Sequence, residues 1–410
     1  MRFQTNLIHG NRADDKSTGA TNVPIYLSNA YARQTAKELA DIFSGRNIGH
    51  VYTRISNPSV EAFEKRMLAI EGGLSATATA SGMSAIYLAL MNIVQPGDEI
   101  IAASGVFGGT YNLLKNLDHQ GINVKFLDVL NQETLDQAIT SETKIVFAET
   151  IGNPKLDILD LESVGKVCQQ KEVILIVDST VTTPYLIKPI EYGADIVIHS
   201  TSKYINGTAN AIGGMIIDGG SKKYQNEKYT NFETYHKRFR QFAFTAKLKM
   251  ELGKDLGATM SPTNATLNLT GVETLQLRMK EHCKNAKKLA EYLSTHSKVD
   301  EVHFPGLTSS PYYEMAQKYY GEACGGILTV RFGSKEKAFA FIDHLNIISN
   351  LANIGDTKSL VIHPASTICA QNSTKEKEQM GVYEDLVRIS VGIEDIEDII
   401  EDVNQSLENI

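Results

Sequence analysis

The chain has 410 residues, of which 42% are hydrophobic and 21% charged, ordinary globular proportions that exclude wholesale disorder. At about 100–200 residues per domain, this length suggests two domains, or one large domain with an appendage. The formal net charge of −8 argues against a nucleic-acid binder, and no apolar run approaches the roughly 18 residues of a membrane span. Met1–Gly10 lacks a basic stretch followed by an apolar one, so secretion is not expected and the chain reads as cytoplasmic. Cys168, Cys283, Cys324 and Cys369 are scattered, with no CxxC pair and no disulfide spacing.

Residues 1–50 are polar and rich in Gly and Asn, and read as an N-terminal arm rather than a core element. Asn57-Pro58 then starts a helix, with Asn as cap and Pro in the first turn. Val60, Phe63, Met67 and Ile70 follow at helical spacing, and Gly72-Gly73 ends the run. A second helix is expected over Met83–Val94. From there short apolar strands are predicted at Glu99–Ala103, Ile122–Val129, Lys144–Glu149, Val173–Asp178, Asp195–His199 and Ala211–Ile217. Helical patterns at Tyr111–Gln120, Glu133–Ile139 and Leu161–Gln170 lie between several of them. Such alternation, with uninterrupted apolar strands, predicts an α/β fold with a mostly parallel sheet covered on both faces. A long helix is expected from Gly271 to about His296. Strands at Val299–Phe304, Gly326–Phe332 and Leu386–Val391 and an acidic helix over Glu394–Glu408 should complete a smaller C-terminal unit. The expected division is an arm (1–50), a large domain (51–260) and a small domain (261–410).

Two predicted strands end in chemistry. One ends in Asp178; the other runs into Ser200-Thr201-Ser202-Lys203-Tyr204. In open α/β sheets, ligands gather beyond the carboxyl ends of the strands. A lysine among hydroxyls suits a phosphorylated aldehyde, and a carboxylate at Asp178 suits a protonated pyridine nitrogen. Spacing alone leaves a solvated serine-rich loop as the plainer alternative. Thr79-Ala80-Ser81-Gly82-Met83 opens a helix whose free N–H groups could bind an anion, or is simply an ordinary helix entry. Arg388 sits among apolar residues and shares a strand face with Leu386 and Ser390. A buried guanidinium needs a partner, either a structural carboxylate or a ligand's.

The segments Val177–Leu186 and Gly193–Tyr204 resemble the cysteine/methionine-metabolism family of pyridoxal-phosphate enzymes. The likeness extends through Tyr52–Glu71, Ser81–Ala85, Phe107–Tyr111, Glu149–Pro154, Ser261–Arg278, Asn353–Thr367 and Leu386–Asp395. It implies the fold of the aspartate-aminotransferase-like (type I) enzymes and pyridoxal 5'-phosphate as cofactor, with no metal. By the same resemblance Lys203 would hold the cofactor as a Schiff base and shuttle protons, and Asp178 would pair with its ring nitrogen. Gly82, Met83, Ser200 and Ser202 would hold the phosphate. Asn153 would touch the ring hydroxyl, Thr180 would lie against the ring, and Arg388 with Asn353 would bind the substrate. Tyr52 and Arg54 would reach the phosphate of a neighbouring subunit's cofactor, making a dimer the minimal active unit of a homo-oligomer, expected to be a tetramer. Tyr52 and Lys203 are the expected catalytic groups.

The sequence also departs from the family pattern. Phe107 stands where a stacked tyrosine is usual, in Phe107-Gly108-Gly109-Thr110, and Phe cannot exchange a proton. Ser179, Thr208 and Cys369 replace residues that are often Asn, His and His. Asn353–Thr367 and Ser261–Leu275 favour the O-acetylhomoserine sulfhydrylase branch, and Gly109, where methionine γ-lyases carry cysteine, counts against a lyase. The expected reaction is therefore γ-replacement on an O-acylated homoserine by sulfide, a thiol, or sulfur delivered by a carrier protein. The alternatives are γ-elimination, a cystathionine γ-synthase, and a cofactor-holding regulatory protein without turnover.

Overall fold

The computed structural model describes residues 1–12 and 18–410. Seven strands form the larger sheet: β1 (Ser75–Thr79), β2 (Glu99–Ala103), β3 (Asn123–Leu127), β4 (Thr143–Glu149), β5 (Ile174–Asp178), β6 (Ile196–His199) and β7 (Gly214–Asp218). Their order is β1-β7-β6-β5-β4-β2-β3, and all neighbours are parallel except those of β7, which is antiparallel to both β6 and β1. Ile174, Ile176, Ile196 and Ile198 pack on one face. Leu175, Val177 and Val197 pack on the other. A strand needs an uninterrupted apolar run when helices cover both faces, and β5 is buried throughout.

A smaller sheet follows, of β8 (Glu301–His303), β9 (Ile327–Arg331), β10 (Ser349–Asn350), β11 (Leu360–Ile362) and β12 (Leu386–Ser390). Its order is β10-β11-β12-β9-β8, mostly antiparallel. The expected long helix is two helices, Pro262–Glu273 and Leu275–Ser294, so Gly271 lies inside the first rather than before a single one. β1, β10 and β11 were not expected from the sequence. β1 reads Ser-Ala-Thr-Ala-Thr, too small and polar to declare a core strand until β7 pairs with it.

The first fifty residues are more than an arm, although 13–17 lie outside the described residues. Helices form at Phe3–His9 and Ala36–Phe43. Leu7 in the first is fully buried. The buried Arg66 donates to the carbonyls of Gly10, at 2.8 Å, and Leu7, tying this segment to the helix Pro58–Glu71. The same helix ends at Glu71, whose carboxylate meets His199 of β6 in a fully buried 2.7 Å hydrogen bond. No helix among the described residues is long and apolar enough to cross a membrane. Because Leu7 is packed as a core residue, Leu7→Ala should lower stability by about 2–5 kcal/mol. Denaturant unfolding followed by circular dichroism checks this; an unchanged midpoint would return the segment to the status of a loose arm.

Candidate functional site

Glu149 and Asp178, the last residues of β4 and β5, are register partners, and Ser200 follows the end of β6. The alternation that buries Ile174 and Ile176 puts Asp178 on their face, and that of Ile145 and Phe147 does the same for Glu149. These ends open onto a cavity of about 410 Å³. Its walls include Gly82, Met83, Phe107, Asn153, Asp178, Thr180, Ser200, Ser202, Lys203, Asn353 and Arg388. Every site residue expected from the sequence is on this wall except Tyr52 and Arg54.

Asp178 Oδ1 accepts from the Thr180 amide at 2.9 Å and its hydroxyl at 2.5 Å. The same hydroxyl accepts from the Ser200 amide at 2.8 Å, locking the ends of β5 and β6 together. Burial raises the Asp178 carboxyl, opposed by the Thr180 donors. The helix Gly82–Met91 begins beside Ser200 with a Ser81/Ser84 capping box, in which the Ser84 amide is already taken by the Ser81 hydroxyl. The amides of Gly82 and Met83 in the first turn have no helical acceptor. A Cβ on Gly82 would lie 2.6 Å from that of Ser200, so only glycine admits this approach. Ser202 is engaged with Gly213, accepting from its amide at 2.9 Å and donating to its carbonyl at 3.2 Å.

Lys203 Nζ donates to Asn353 Oδ1 at 2.5 Å. Burial, and then the charge of Arg388, lower its pKa to about 8, so the neutral, nucleophilic amine is within reach at mild pH. Arg388 is 3% exposed and meets no carboxylate among the described residues. It donates instead to Asn153 Oδ1 at 3.0 Å and the Asn353 carbonyl at 3.1 Å, and its Nε has no partner. The structural ion pair that the sequence left open is therefore not there. An unpaired guanidinium at a cavity wall is a site for an incoming carboxylate.

Tyr52 and Arg54 lie elsewhere. Tyr52 is exposed, Arg54 donates to the Lys254 carbonyl, and the guanidinium sits 5.4 Å from the Tyr52 ring. Neither reaches this chain's own cavity. Two residues of functional interest carry no motif of the kind that marks the others. Glu149 lines the cavity and accepts from the Phe107 amide at 2.7 Å; its signal was the pattern that singled out Asp178, a carboxylate closing an apolar strand. Arg278 is buried and donates to the carbonyls of Tyr204 and Gly271, at 2.5 and 2.7 Å, bracing the turn after Lys203. Nothing local in a helical Arg announces that. His363 bonds the Ser366 hydroxyl and the Glu384 carbonyl at 2.8 Å each, a structural role outside the cavity wall.

The donor set suits a phosphorylated pyridine aldehyde: a depressed amine, a carboxylate held between donors, and unused helix N–H groups in one cavity. The family of Cys/Met metabolism PLP-dependent enzymes matches residues 4–408. An O-acetyl-L-homoserine sulfhydrylase of Leptospira meyeri is 44% identical, over 99% of this chain and 97% of that protein. Another, from Corynebacterium glutamicum, is 40% identical over 98% and 95%. Among solved structures, an O-acetylhomoserine (thiol)-lyase of Campylobacter jejuni, described as putative and carrying a pyridoxyl-phosphate lysine, superposes with a TM-score of 0.95. It is 32% identical, with 100% of both chains covered. A cystathionine gamma-lyase of Lactobacillus plantarum gives a TM-score of 0.89 at 30% identity, covering 100% and 99%. With its motifs gathered on one wall and a match spanning nearly its whole length, this chain belongs to the family of Cys/Met metabolism PLP-dependent enzymes.

Proposed function

We propose that the chain is a sulfhydrylase that replaces the acetoxy group of O-acetylhomoserine with a sulfur nucleophile, forming homocysteine from sulfide or methionine from methanethiol. What carries this reading is the agreement, end to end, with sulfhydrylases at 40–44% identity. Lys203 would hold pyridoxal phosphate covalently, Asp178 would face its ring nitrogen, and Gly82, Met83, Ser200 and Ser202 would hold its phosphate. Asn153 would meet the ring hydroxyl, while Thr180 and Phe107 would flank the ring. When bound, the cofactor supplies an electron sink for the pair released as a proton leaves the substrate carbon.

The remaining steps fall to this chain's own groups. Arg388, held in place by the Asn353 carbonyl, would anchor the amino acid's carboxylate, and Lys203 Nζ would take the α and then the β proton and return protons once the nucleophile has added. Carbon–oxygen cleavage releases acetate, and sulfide adds to the γ carbon with loss of its proton. Phe107 offers no proton to the departing group, which favours an ester that leaves as a carboxylate over an ether, thioether or hydroxide. Gly109 supports replacement over lyase chemistry: a Cβ there would lie 2.7 Å from Phe107 Cε1, so the ring fills the space of a side chain. A division into 1–50, which contains two helices of its own, 51–260 and 261–410, together with a cytoplasmic location, completes the proposal.

Incubation with O-acetylhomoserine and sulfide should yield homocysteine and acetate with little keto acid. Keto acid and ammonia formed equally without sulfide would make the chain a lyase. A normal cofactor absorbance without turnover of any homoserine ester would make it a holding protein.

The Lys203 amine generates a second prediction. The rate at which cofactor-free protein captures pyridoxal phosphate should rise with pH and level off above about 8. Arg388→Gln removes a positive neighbour, favours the charged amine and should move the midpoint upward. Stopped-flow absorbance measures both, and a profile that is flat through pH 8 would exclude a titrating Lys203.

Tyr52 and Arg54, remote from their own cavity, are proposed to complete that of a second copy. Arg54→Ala and Lys203→Ala proteins, each inactive, should then regain activity when mixed and allowed to exchange subunits. One native site per heterodimer limits recovery to roughly a quarter of wild type for random reassortment. Proven exchange without recovery would end the shared-site model.

A further inference from the structure

Glu149 has no role in the assignment above, yet its placement is unusual. It faces Asp178 across the parallel register, both side chains leave the same face, and adjacent strands run roughly 5 Å apart. Among the described residues no cation pairs with it, and the groups that favour its charge are backbone ones. The Phe107 amide donates to Oε1 at 2.7 Å, and the Asn153 backbone lies near enough to favour the charged form of the same carboxyl. Two neighbouring buried carboxyls disfavour each other's charge. Asp178 has the stronger claim to the charge, because Thr180 donates to it twice. Burial, and then Asp178, push the Glu149 carboxyl well above the usual carboxylate range.

The segments of Phe107 and Asn153 both contribute to the wall. Phe107 begins the helix Gly108–Leu117 and folds its ring over Gly109. Asn153 starts the polar network: its Oδ1 accepts from Arg388, Arg388 donates to the Asn353 carbonyl, and the Asn353 side chain accepts from Lys203. We propose that Glu149 is a positioning residue, a sheet-anchored acceptor that sets the Phe107 and Asn153 segments against cofactor and substrate and needs no negative charge to do so. The inference rests on the reaction proposed above, but the anchoring itself belongs to the protein alone.

Glu149→Gln keeps the acceptor oxygen and removes the charge, whereas Glu149→Ala removes both. Hydrogen–deuterium exchange of segment 105–111 in cofactor-free protein, the Kd for pyridoxal phosphate, and kcat and KM provide separate readouts. The Ala protein should exchange faster there, bind cofactor more weakly and lose roughly 10²-fold in kcat/KM. The Gln protein should stay near wild type on every readout. Gln as impaired as Ala would overturn the proposal by showing that the charge is what matters, and Ala indistinguishable from wild type would overturn it too. Should Ala fail to fold, Glu149→Asp, which keeps the charge and retracts the acceptor, should be worse than Gln; the reverse order refutes the idea. A wild-type enzyme inactive on homoserine esters, with the expected exchange pattern, would sink the reaction and sustain the anchoring.

Discussion

Arg388 carries a guanidinium into a largely buried place where no carboxylate among the described residues neutralises it. Such a charge survives only if hydrogen bonds meet it from well-placed acceptors. Here the acceptors come from both halves of the molecule: Asn153 follows β4 of the large sheet, and Asn353 lies between β10 and β11 of the small one. Arg388 itself is on β12, so it couples the two sheets through the cavity they share. Burial lowers its pKa to about 10, leaving it charged at any working pH. A substrate carboxylate would supply the counter-charge that the protein withholds, which is how a binding site can be strong for one functional group and poor for its neutral analogues.

The parallel sheet supplies the other fixed frame. Strands running in the same direction end on the same edge, so carboxylates, hydroxyls and the lysine turn arrive together without any long-range design of loops. The facing pattern does the finer work. Alternation along β4 and β5 sends Glu149 and Asp178 to one face, and Thr180 then bridges Asp178 to the backbone of Ser200. Arg278 closes the turn beyond Lys203 from outside, drawing carbonyls of Tyr204 and Ile205 onto a helix that leads into the small sheet. A Cβ on Gly207 would collide with that guanidinium, so the turn and its brace are fitted to each other.

The wall around Phe107 shows how a local departure can narrow chemistry without disturbing the fold. The ring occupies the volume over Gly109, its amide is held by Glu149, and the helix it caps remains intact. Among the described residues of this chain no tyrosine, histidine or cysteine is on the cavity wall, where Lys203 supplies the amine. Cys369, beside Gly108, is buried with its thiol pushed up, first by loss of water, and is a packing group rather than a nucleophile.

Much of this architecture was legible in the chain by itself. Apolar runs such as Ile174–Val177 have one physical use, a strand covered on both faces, and capping signals such as Asn57-Pro58 mark helix starts within a residue. Parallel topology, which turns a strand end into a place in space, pointed to Asp178 and the Ser200–Lys203 turn, while the other cavity residues were reached through the family resemblance. Elements whose stability is borrowed were not visible: β1 is a strand only because β7 accepts it, and Phe3–His9 is ordered by Arg66 and the helix beneath it. Only the tertiary structure decided that Arg388 lacks an ion pair, that Glu149 neighbours Asp178, and that Tyr52 and Arg54 stand away from their own cavity. Each of these depends on what a side chain meets elsewhere along the chain, and burial and hydrogen-bond partnership are properties of the packed chain that no local pattern encodes.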